Sequence, residues 1–316
     1  MRPVAVSLAD TASHPVHTRQ WAPVTPANWG RAWTKRIGGT RANASRCSQR
    51  NRPAPPCTCG GEAGRFMLHC SNPAAGGRAI KTVASYNIKG GVGKTAIAVN
   101  LARSSLASRH RTLLWDLDEQ GGASTILGHM PAIARRRVRR TYQLTDHITP
   151  SAWTGLDLIP ADALLHLVDR HDRPRHLREL LQRIASSYDR VIVDCPPTLG
   201  LLTEQIFEMA DLIIVPVVPS SLSMTALAQL QAYAQGRDRP SPELLPVFSM
   251  VDRRRTAHRE ALEAAPKQTA IPYAAAMERM AATGLPIAEI APGSPAARSL
   301  AALWKAAEKR LAKSEK

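Results

Sequence analysis

The sequence is poor in aromatic residues, in cysteine and in long apolar runs. Phe, Trp and Tyr make up 4% of the 316 residues, and only five cysteines occur. No apolar run is long enough to predict a helix that spans a membrane, which takes roughly 18 residues or more. The N-terminus lacks the basic, then apolar, then small-residue order of a secretory signal. We therefore expect a cytoplasmic protein in a reducing compartment.

Acidic residues are also scarce relative to basic ones. The chain has 42 Lys and Arg against 25 Asp and Glu, which gives a formal charge of +17. Residues 1–80 contribute +9 of this charge and the remainder contributes +8, so both parts are basic. Such a balance suits a polyanionic partner, for example nucleic acid.

Residues 1–78 are rich in Arg, Pro, Ala, Ser and Thr and keep neither the helical nor the strand period. This composition predicts a basic, disordered extension ahead of an ordered domain at 79–316. Four of the five cysteines lie in the extension, among them Cys57 and Cys59. The single residue between these two is a shorter gap than zinc sites usually have, so a structural metal there stays open.

The most informative segment is the glycine-rich loop at 89–95, Lys-Gly-Gly-Val-Gly-Lys-Thr. A β-branched run precedes it and a helix-like run follows, as in a phosphate-binding P-loop. Glycines let backbone N–H groups close around a phosphate, and the helix N-terminus adds partial positive charge. Lys94 can reach β- and γ-phosphate oxygens, and the Thr95 hydroxyl can ligate Mg²⁺. We expect ATP to contact Lys89, Gly90, Gly91, Val92, Gly93, Lys94, Thr95 and Ala96.

Two further apolar segments end in carboxylates. The segment at 111–117 contains Asp116 and is followed by Asp118. The segment at 189–193 is followed by Asp194 and, shortly after, by two prolines. An acidic residue at the carboxyl end of a parallel strand beside a P-loop is placed to serve Mg²⁺. Asp194 is therefore predicted to stand behind Thr95 at the ion, through water. Asp116 is predicted to support the same shell, with a strand-end cap as the alternative.

From residue 81 onward, segments typical of strands alternate with segments typical of helices. Strands are predicted near 81–87, 111–116, 156–159, 190–194, 212–217 and 245–249. Helices are predicted near 94–108, 175–187, 202–209, 222–235, 255–264, 274–282 and 295–312. This alternation favours an α/β fold with a doubly wound, mostly parallel sheet, whose catalytic loops follow the carboxyl ends of the strands.

With the loop at 89–95, the Asp-Leu-Asp-x-Gln-Gly segment at 116–121 and the Asp-Cys-Pro-Pro segment at 194–197, the chain resembles the deviant Walker A P-loop ATPases. This family includes the ParA/Soj-like partition ATPases and the MinD-like site-selection ATPases, and the two acidic segments point to the partition branch. The resemblance covers about residues 81–312 and implies a Mg²⁺-dependent ATPase with weak basal turnover. It places Asp118 at the attacking water, beside Lys94. It also implies that Lys89 contacts the phosphates bound by a second copy in an ATP-sandwiched homodimer.

The same resemblance implies nonspecific DNA binding, a nucleoid-associated location and a ParB-like partner that stimulates hydrolysis. Arg255, just before Thr256, matches a family arginine that touches the DNA backbone, and Arg279 resembles a second one. Arg254 belongs to the same basic patch as Arg255. Such patches bind phosphates without reading bases. The basic run at 135–140 either adds to this surface or is simply solvated.

Two other functions stay open. The last predicted helix has Leu300, Leu303, Trp304, Ala307 and Leu311 on one face, and a basic amphipathic helix can bind a membrane surface. We expect this face to pack on the sheet instead, which makes a MinD-like membrane-surface ATPase the weaker alternative. A P-loop metabolic synthetase is the other alternative, although such an enzyme has no need of Lys89.

Overall fold

The computed structural model describes residues 80–129, 144–161 and 176–313. The predicted extension at 1–78, its cysteines and the basic run at 135–140 lie outside these residues. The boundary between the extension and the ATPase domain therefore stays a prediction.

The described residues form an eight-stranded sheet in the order β3-β4-β2-β5-β1-β6-β7-β8. Neighbouring strands are parallel, except that β3 and β4 are antiparallel. The strands are β1 (Lys81–Ser85), β2 (Thr112–Asp116), β3 (Thr149–Pro150), β4 (Leu156–Ile159), β5 (Arg190–Asp194), β6 (Leu212–Val217), β7 (Glu243–Val251) and β8 (Ala270–Pro272). The central strands are apolar without alternation because helices cover both faces of the sheet.

Helices connect the strands and cover both faces. They are α1 (Lys94–Ala107), α2 (Gly122–Ile126), α3 (Leu177–Gln182), α4 (Leu201–Met209), α5 (Ser221–Gln235), α6 (Thr256–Ala264), α7 (Ala275–Thr283), α8 (Ile287–Ile290) and α9 (Pro295–Leu311), with a 3₁₀ turn at Leu144–His147. Two of them start at serine caps. Ser220 accepts a hydrogen bond from the Ser223 N–H, and Ser294 accepts one from the Ala297 N–H. These caps satisfy N–H groups that a helix start otherwise leaves unpaired.

The core has two layers, one on each face of the sheet. Successive β1 residues point to opposite faces, so Val83 packs with α1, α7 and α9, whereas Ala84 packs with α3, α4 and α5. The side chains of α9 that were predicted to form its apolar face are all buried in the first layer, namely Leu300, Leu303, Trp304, Ala307 and Leu311. The prediction that this face packs on the sheet is confirmed.

The predicted fold class is confirmed, and all six predicted strands are present. The sequence analysis missed the short strands β3 and β8 and the short helices α2 and α8. The helix predicted at 175–187 is shorter, because only Leu177–Gln182 is α-helical before the chain enters turns. Among the residues that the structure describes, no helix combines the length and the apolar character needed to cross a bilayer.

Candidate nucleotide site and basic turn

The glycine-rich loop leaves the carboxyl end of β1, in the middle of the sheet. Asn87 fixes its first residues, since Nδ2 donates to the Pro216 carbonyl at 2.7 Å and Oδ1 accepts from the Lys89 N–H at 3.0 Å. The Ser85 hydroxyl donates to the Lys94 carbonyl at 2.9 Å and fixes the start of α1. The start of the loop is thus held to β6 and its end to β1.

Two glycines in the loop have left-handed backbone, Gly91 with φ 70° and Gly93 with φ 92°. Space is also tight at position 93, because a Cβ there would lie 3.0 Å from the Ser249 hydroxyl oxygen. A Cβ on Gly90 or Gly91 would meet no atom within 4 Å, so this side of the loop faces open space. The glycine side of the loop is therefore open to a ligand at the start of α1, as anion binding needs.

The other predicted contact residues of the loop and of the start of α1 are buried or half-buried. Val92 is buried, and Ala96 packs against the core with its backbone in the first turn of α1. Lys94 is buried beneath the loop, and its Nζ donates to the Lys89 carbonyl at 3.2 Å. Burial lowers the pKa of Lys94, while the charges of Asp194 and Asp118 act in the opposite direction. The ammonium group is thus held next to the face of the loop that can receive phosphate.

Asp194 ends β5 and is in register with Ser85 on β1 and with Asp116 on β2. It is fully buried, and neither carboxylate oxygen has a hydrogen-bonding partner among the described residues. Burial and the charge of Asp116 raise its pKa well above the ordinary value, although the nearby Thr95 hydroxyl and Lys94 favour the ionised form. A buried, unpaired carboxylate is costly. Together with Thr95 it fits a hard cation such as Mg²⁺, whose ligands are oxygens.

No group of three or more His, Cys, Asp and Glu side chains that could hold a metal occurs among residues 80–129, 144–161 and 176–313. A cation at Thr95 and Asp194 would therefore depend on phosphate oxygens and water for its remaining ligands. Residues of this kind hold Mg²⁺ together with a nucleotide, since this ion usually keeps several waters and binds through few protein groups.

Asp116 organises the turn that follows β2. Its Oδ2 accepts from the Ser124 N–H at 2.8 Å and from the Ser124 hydroxyl at 2.7 Å, and its Oδ1 accepts from the Asp118 N–H at 3.1 Å. The Ser124 hydroxyl also accepts from the Ala161 N–H at 3.0 Å. Burial raises the pKa of Asp116 despite these donors. These contacts are those of a strand-end cap, and a part in the Mg²⁺ shell stays a prediction.

Asp118 lies in this same turn, half-buried, with its Oδ1 accepting from the Gln120 N–H at 3.1 Å. Its charge adds to the rise in the pKa of Asp194 and opposes the larger effect of burial on the pKa of Lys94, so it lies near these two side chains. The turn packs closely on Thr95, because a Cβ on Gly122 would come within 3.1 Å of the threonine methyl carbon. The fold thus brings Asp118 to the P-loop, and its role at the attacking water stays a prediction.

Lys89 contacts its own chain. Its Nζ donates to the Ser223 hydroxyl at 2.9 Å, in the first turn of α5. Ser223 is fully buried and also accepts a hydrogen bond from the Ser220 hydroxyl at 3.0 Å. Sequence reasoning missed Ser223, although the Ser220-x-x-Ser223 spacing is typical of a helix start. Reach of Lys89 to a second copy stays a prediction.

The basic turn, Arg253–Arg255, joins β7 to α6 and is exposed. Arg254 is paired within the turn, with Nε and Nη2 each 2.9 Å from an oxygen of Asp252, and this pairing lowers the pKa of Asp252 to about 2. The Arg259 guanidinium donates to the Arg253 and Arg254 carbonyls and braces the turn. Among the described residues, no ion pair holds Arg253 or Arg255, so both exposed residues have a charge left for a partner.

Arg279 is exposed on α7, which follows β8. Because β7 and β8 are parallel neighbours, α6 and α7 both begin at the carboxyl edge of the sheet, the edge that also carries the P-loop. The fold therefore places all three predicted surfaces, for phosphate, metal and DNA, at one edge.

A family described as an AAA domain matches residues 80–238. The chromosome partitioning protein ParA of Myxococcus xanthus is 35% identical over 153 residues, 46% of this chain and 54% of that protein. The protein of the same name from Caulobacter vibrioides is 35% identical over 194 residues, 55% of this chain and 71% of the relative. The present chain thus spans little more than half the length of the Myxococcus protein.

Among solved structures, a cobyrinic acid a,c-diamide synthase from Mycobacterium smegmatis with bound ADP and magnesium is similar. It has a TM-score of 0.59 and 25% identity, and the match covers 75% of this chain and 97% of the synthase. The region matched by the family runs from the start of β1 to just beyond α5 and so contains each element that builds the nucleotide site. The chain belongs to this AAA domain family, as a P-loop ATPase of the ParA and MinD type.

Proposed function

We propose that this chain binds ATP with Mg²⁺, hydrolyses it slowly and uses ATP to hold two copies together on DNA, in plasmid or chromosome partition. The observation that carries the proposal is Asp194, a fully buried carboxylate that has only Thr95 and Lys94 among the described residues to favour its charge, beside a P-loop whose glycine side is open. The names of the partition proteins from Myxococcus and Caulobacter support the biological role. A ParB-like protein that stimulates hydrolysis belongs to the same proposal.

The residues have distinct parts in this chemistry. Backbone N–H groups of Gly90 to Thr95 bind the phosphates, and Lys94 offsets their charge. Thr95 and Asp194 hold Mg²⁺, which when bound neutralises charge that builds on the phosphates. Asp118 orients a water molecule for attack on the terminal phosphate. The turn that Asp116 braces keeps Asp118 in place, and catalysis of phosphoryl transfer depends on such positioning together with electrostatic stabilisation.

Removal of the Asp118 carboxylate tests the chemical step. Asp118→Ala should lower kcat roughly 100-fold or more, as loss of a positioned acid or base does, and ATP should still bind. Glu119→Ala is the matched control, since it removes the same charge from an exposed residue of the same turn and should keep the parent rate. Lys94→Ala should lose nucleotide binding or turnover. Parent-like hydrolysis by Asp118→Ala would show that another group positions the water.

The proposed DNA surface follows from charge and exposure. Arg253 and Arg255 are exposed at the edge that carries the nucleotide site, with Arg254 beside them. A cationic patch without groups aimed at bases binds the phosphate backbone regardless of sequence. Binding should weaken steeply with salt, by roughly 0.9 in the slope of log affinity against log salt for each phosphate contact.

Charge reversal separates specific residues from bulk charge. Arg255→Glu should weaken DNA binding in the presence of ATP more than Arg279→Glu, since Arg255 lies in the denser patch. Lys305→Glu makes the same change at an exposed position of α9 and should have little effect. The measurement needs residues 79–316 as well as the full chain, because the extension alone carries +9. No ATP-dependent DNA binding by residues 79–316 at low salt would overturn the partition role and favour a synthetase.

The membrane alternative loses the feature that suggested it. The apolar face of α9 is covered by the core, so it offers no apolar surface to a bilayer in this conformation. Sedimentation with liposomes and ATP, with and without residues 299–316, tests this directly. Liposome binding that depends on those residues would revive a membrane-surface ATPase.

A further inference from the structure

The Tyr86 hydroxyl joins the end of β1 to the loop that follows Asp194. Tyr86 is fully buried, and its ring packs edge-on against Phe207 of α4 with 6.3 Å between ring centroids. Its hydroxyl donates to the Thr198 carbonyl at 2.5 Å and lies 3.1 Å from the Thr203 hydroxyl. A buried phenol with defined partners adds a directed contact to its packing.

Thr203 completes the contact from the side of α4. Its hydroxyl donates to the same Thr198 carbonyl at 2.9 Å and accepts from the Gly200 N–H at 3.3 Å. Burial raises the pKa of Tyr86 to about 12, more than the Thr203 hydrogen bond lowers it, so the phenol stays a donor at neutral pH. We call these two side chains and the Thr198 carbonyl the tyrosine clamp.

The clamped segment runs from the predicted metal ligand to the surface. It follows Asp194, runs over residues 195–200 and reaches the surface near its end, where Leu199 is 59% exposed and Leu201, the first residue of α4, is 79% exposed. The neighbouring Asn87 holds the start of the phosphate loop through the Lys89 N–H. Two successive residues therefore fix two loops: Tyr86 holds the loop after Asp194, and Asn87 holds the phosphate loop.

We propose that Tyr86 is a positioning residue, which keeps the loop at 195–200 in register with the phosphate loop so that nucleotide binding at one loop orders the other. The proposal rests on the nucleotide-binding function above. Tyr86 acts through Thr198, so it should govern turnover and leave nucleotide affinity nearly unchanged. Positioning of a supporting loop by buried hydrogen bonds commonly decides how well a site is preorganised.

Conservative variants test the tyrosine clamp without emptying the core. Tyr86→Phe and Thr203→Val each keep the packing shape and remove a hydroxyl. Each should lower kcat about threefold to tenfold with KM within twofold. The double variant should lose less than the product of the two single losses, which in a double-mutant cycle shows that the two hydroxyls act as one unit. Tyr188→Phe is the matched control, since this buried phenol donates to Asp157 at 2.7 Å before β5 begins.

Amide hydrogen exchange supplies a readout that a general loss of stability would not mimic. In the full chain, Mg-ADP should slow exchange at 198–203, and Tyr86→Phe should lose at least threefold of that protection while it binds ADP as the parent does. Parent-like exchange in Tyr86→Phe, or faster exchange spread over the whole domain, would overturn the proposal. If the parent does not bind ADP, the nucleotide function fails, and exchange in the nucleotide-free protein still decides whether the clamp holds the loop.

Discussion

At the scale of single residues, the site is shaped by charges that the fold buries together. Asp194 and Asp116 end neighbouring strands with their carboxylates buried, and burial is the main reason that the pKa of each is raised. Lys94 is buried nearby with a lowered pKa. A binding site with such buried charged groups lowers the stability of the folded protein, and binding of a cation and of phosphates raises that stability again.

The cost at Asp194 can be measured. Asp194→Asn should raise the melting temperature of the nucleotide-free protein in EDTA, where ~1 kcal/mol corresponds to about 2–4 °C in a domain of this size. The same variant should lose hydrolysis and the stabilisation that Mg-ATP gives the parent. A melting temperature equal to or below that of the parent, at every pH, would mean that the buried carboxylate is already well compensated.

The pH dependence follows from the direction of the shift. The pKa of Asp194 is raised on folding. The free energy of unfolding of the parent therefore falls as pH rises from the unfolded pKa of this carboxyl through the folded one. The stabilisation by Asp194→Asn should therefore be larger at pH 8 than near pH 4. Thermal melts of both proteins across this range provide the comparison.

The residues of the site differ in how well a sequence can reveal them. Lys94, Thr95 and Asp194 belong to short motifs that a sequence can reveal, and the three side chains lie close together in the structure, although their roles stay predictions. Ser223 and Tyr86 do not, because Lys89 is 134 residues from Ser223, and Tyr86 is 117 residues from Thr203. Local periodicity carries no information on such pairs, which depend on the order of strands in the sheet.

At the scale of elements, α9 is fixed to the sheet by a polar contact as well as by its apolar face. Arg190, at the start of β5, donates to Glu308 through Nε at 2.8 Å and Nη2 at 3.0 Å, and His110 Nε2 lies 3.3 Å from the same carboxylate. Burial raises the pKa of Glu308, but the Arg190 hydrogen bonds and charge outweigh it, and the net shift is downward. The carboxylate thus helps to hold α9 in place.

A pair of substitutions tests the weight of this contact. Glu308→Gln should cost roughly 1–3 kcal/mol, because it leaves the Arg190 charge, which is 11% exposed, without its partner. Glu289→Gln breaks a pair with Arg103 in which both side chains are more than one third exposed, and it should cost less than about 1 kcal/mol. Urea unfolding at pH 7 gives both values.

The same pair has a defined pH window. Since the pKa of Glu308 is lowered on folding, its contribution is present above the unfolded pKa and is lost as pH falls through the folded one. The difference between Glu308→Gln and the parent should therefore shrink in acid. Equal losses for Glu308→Gln and Glu289→Gln at pH 7 would show that burial of Arg190 adds nothing to the pair.

The sequence predicted the long strands and helices but missed the shortest ones. The long central strands and α1, α5 and α9 have strong patterns, and the sequence places them correctly. The edge strands β3 and β8 have two and three residues, and each contains a proline. Proline weakens a strand pattern, and a strand this short has no period to detect, so only the assembled sheet defines it.

At the scale of the whole molecule, the contact between Lys89 and Ser223 gives the dimer prediction a matched control. Lys89→Ala should remain monomeric with a nonhydrolysable ATP analogue, because the charge that would cross to a second copy is gone. Ser223→Ala removes the hydroxyl that accepts from Lys89 and from the Ser220 hydroxyl within the chain, and it leaves the Lys89 charge in place, so this variant should still dimerise. Size-exclusion chromatography with light scattering distinguishes the two, and a Lys89→Ala dimer as tight as the parent would exclude the cross-subunit role.

The last consequence concerns β7, which continues three residues beyond its pairing with β6. Its extra residues bring the Ser249 hydroxyl against Gly93 and put Met250, a non-glycine residue, at φ 54°. The basic turn begins two residues after the end of β7, so the strand that contacts the phosphate loop also leads into the arginines. Positions 93 and 249 therefore limit each other in size: a side chain larger than serine at 249 would crowd the phosphate loop, and a Cβ at 93 would press on the Ser249 hydroxyl.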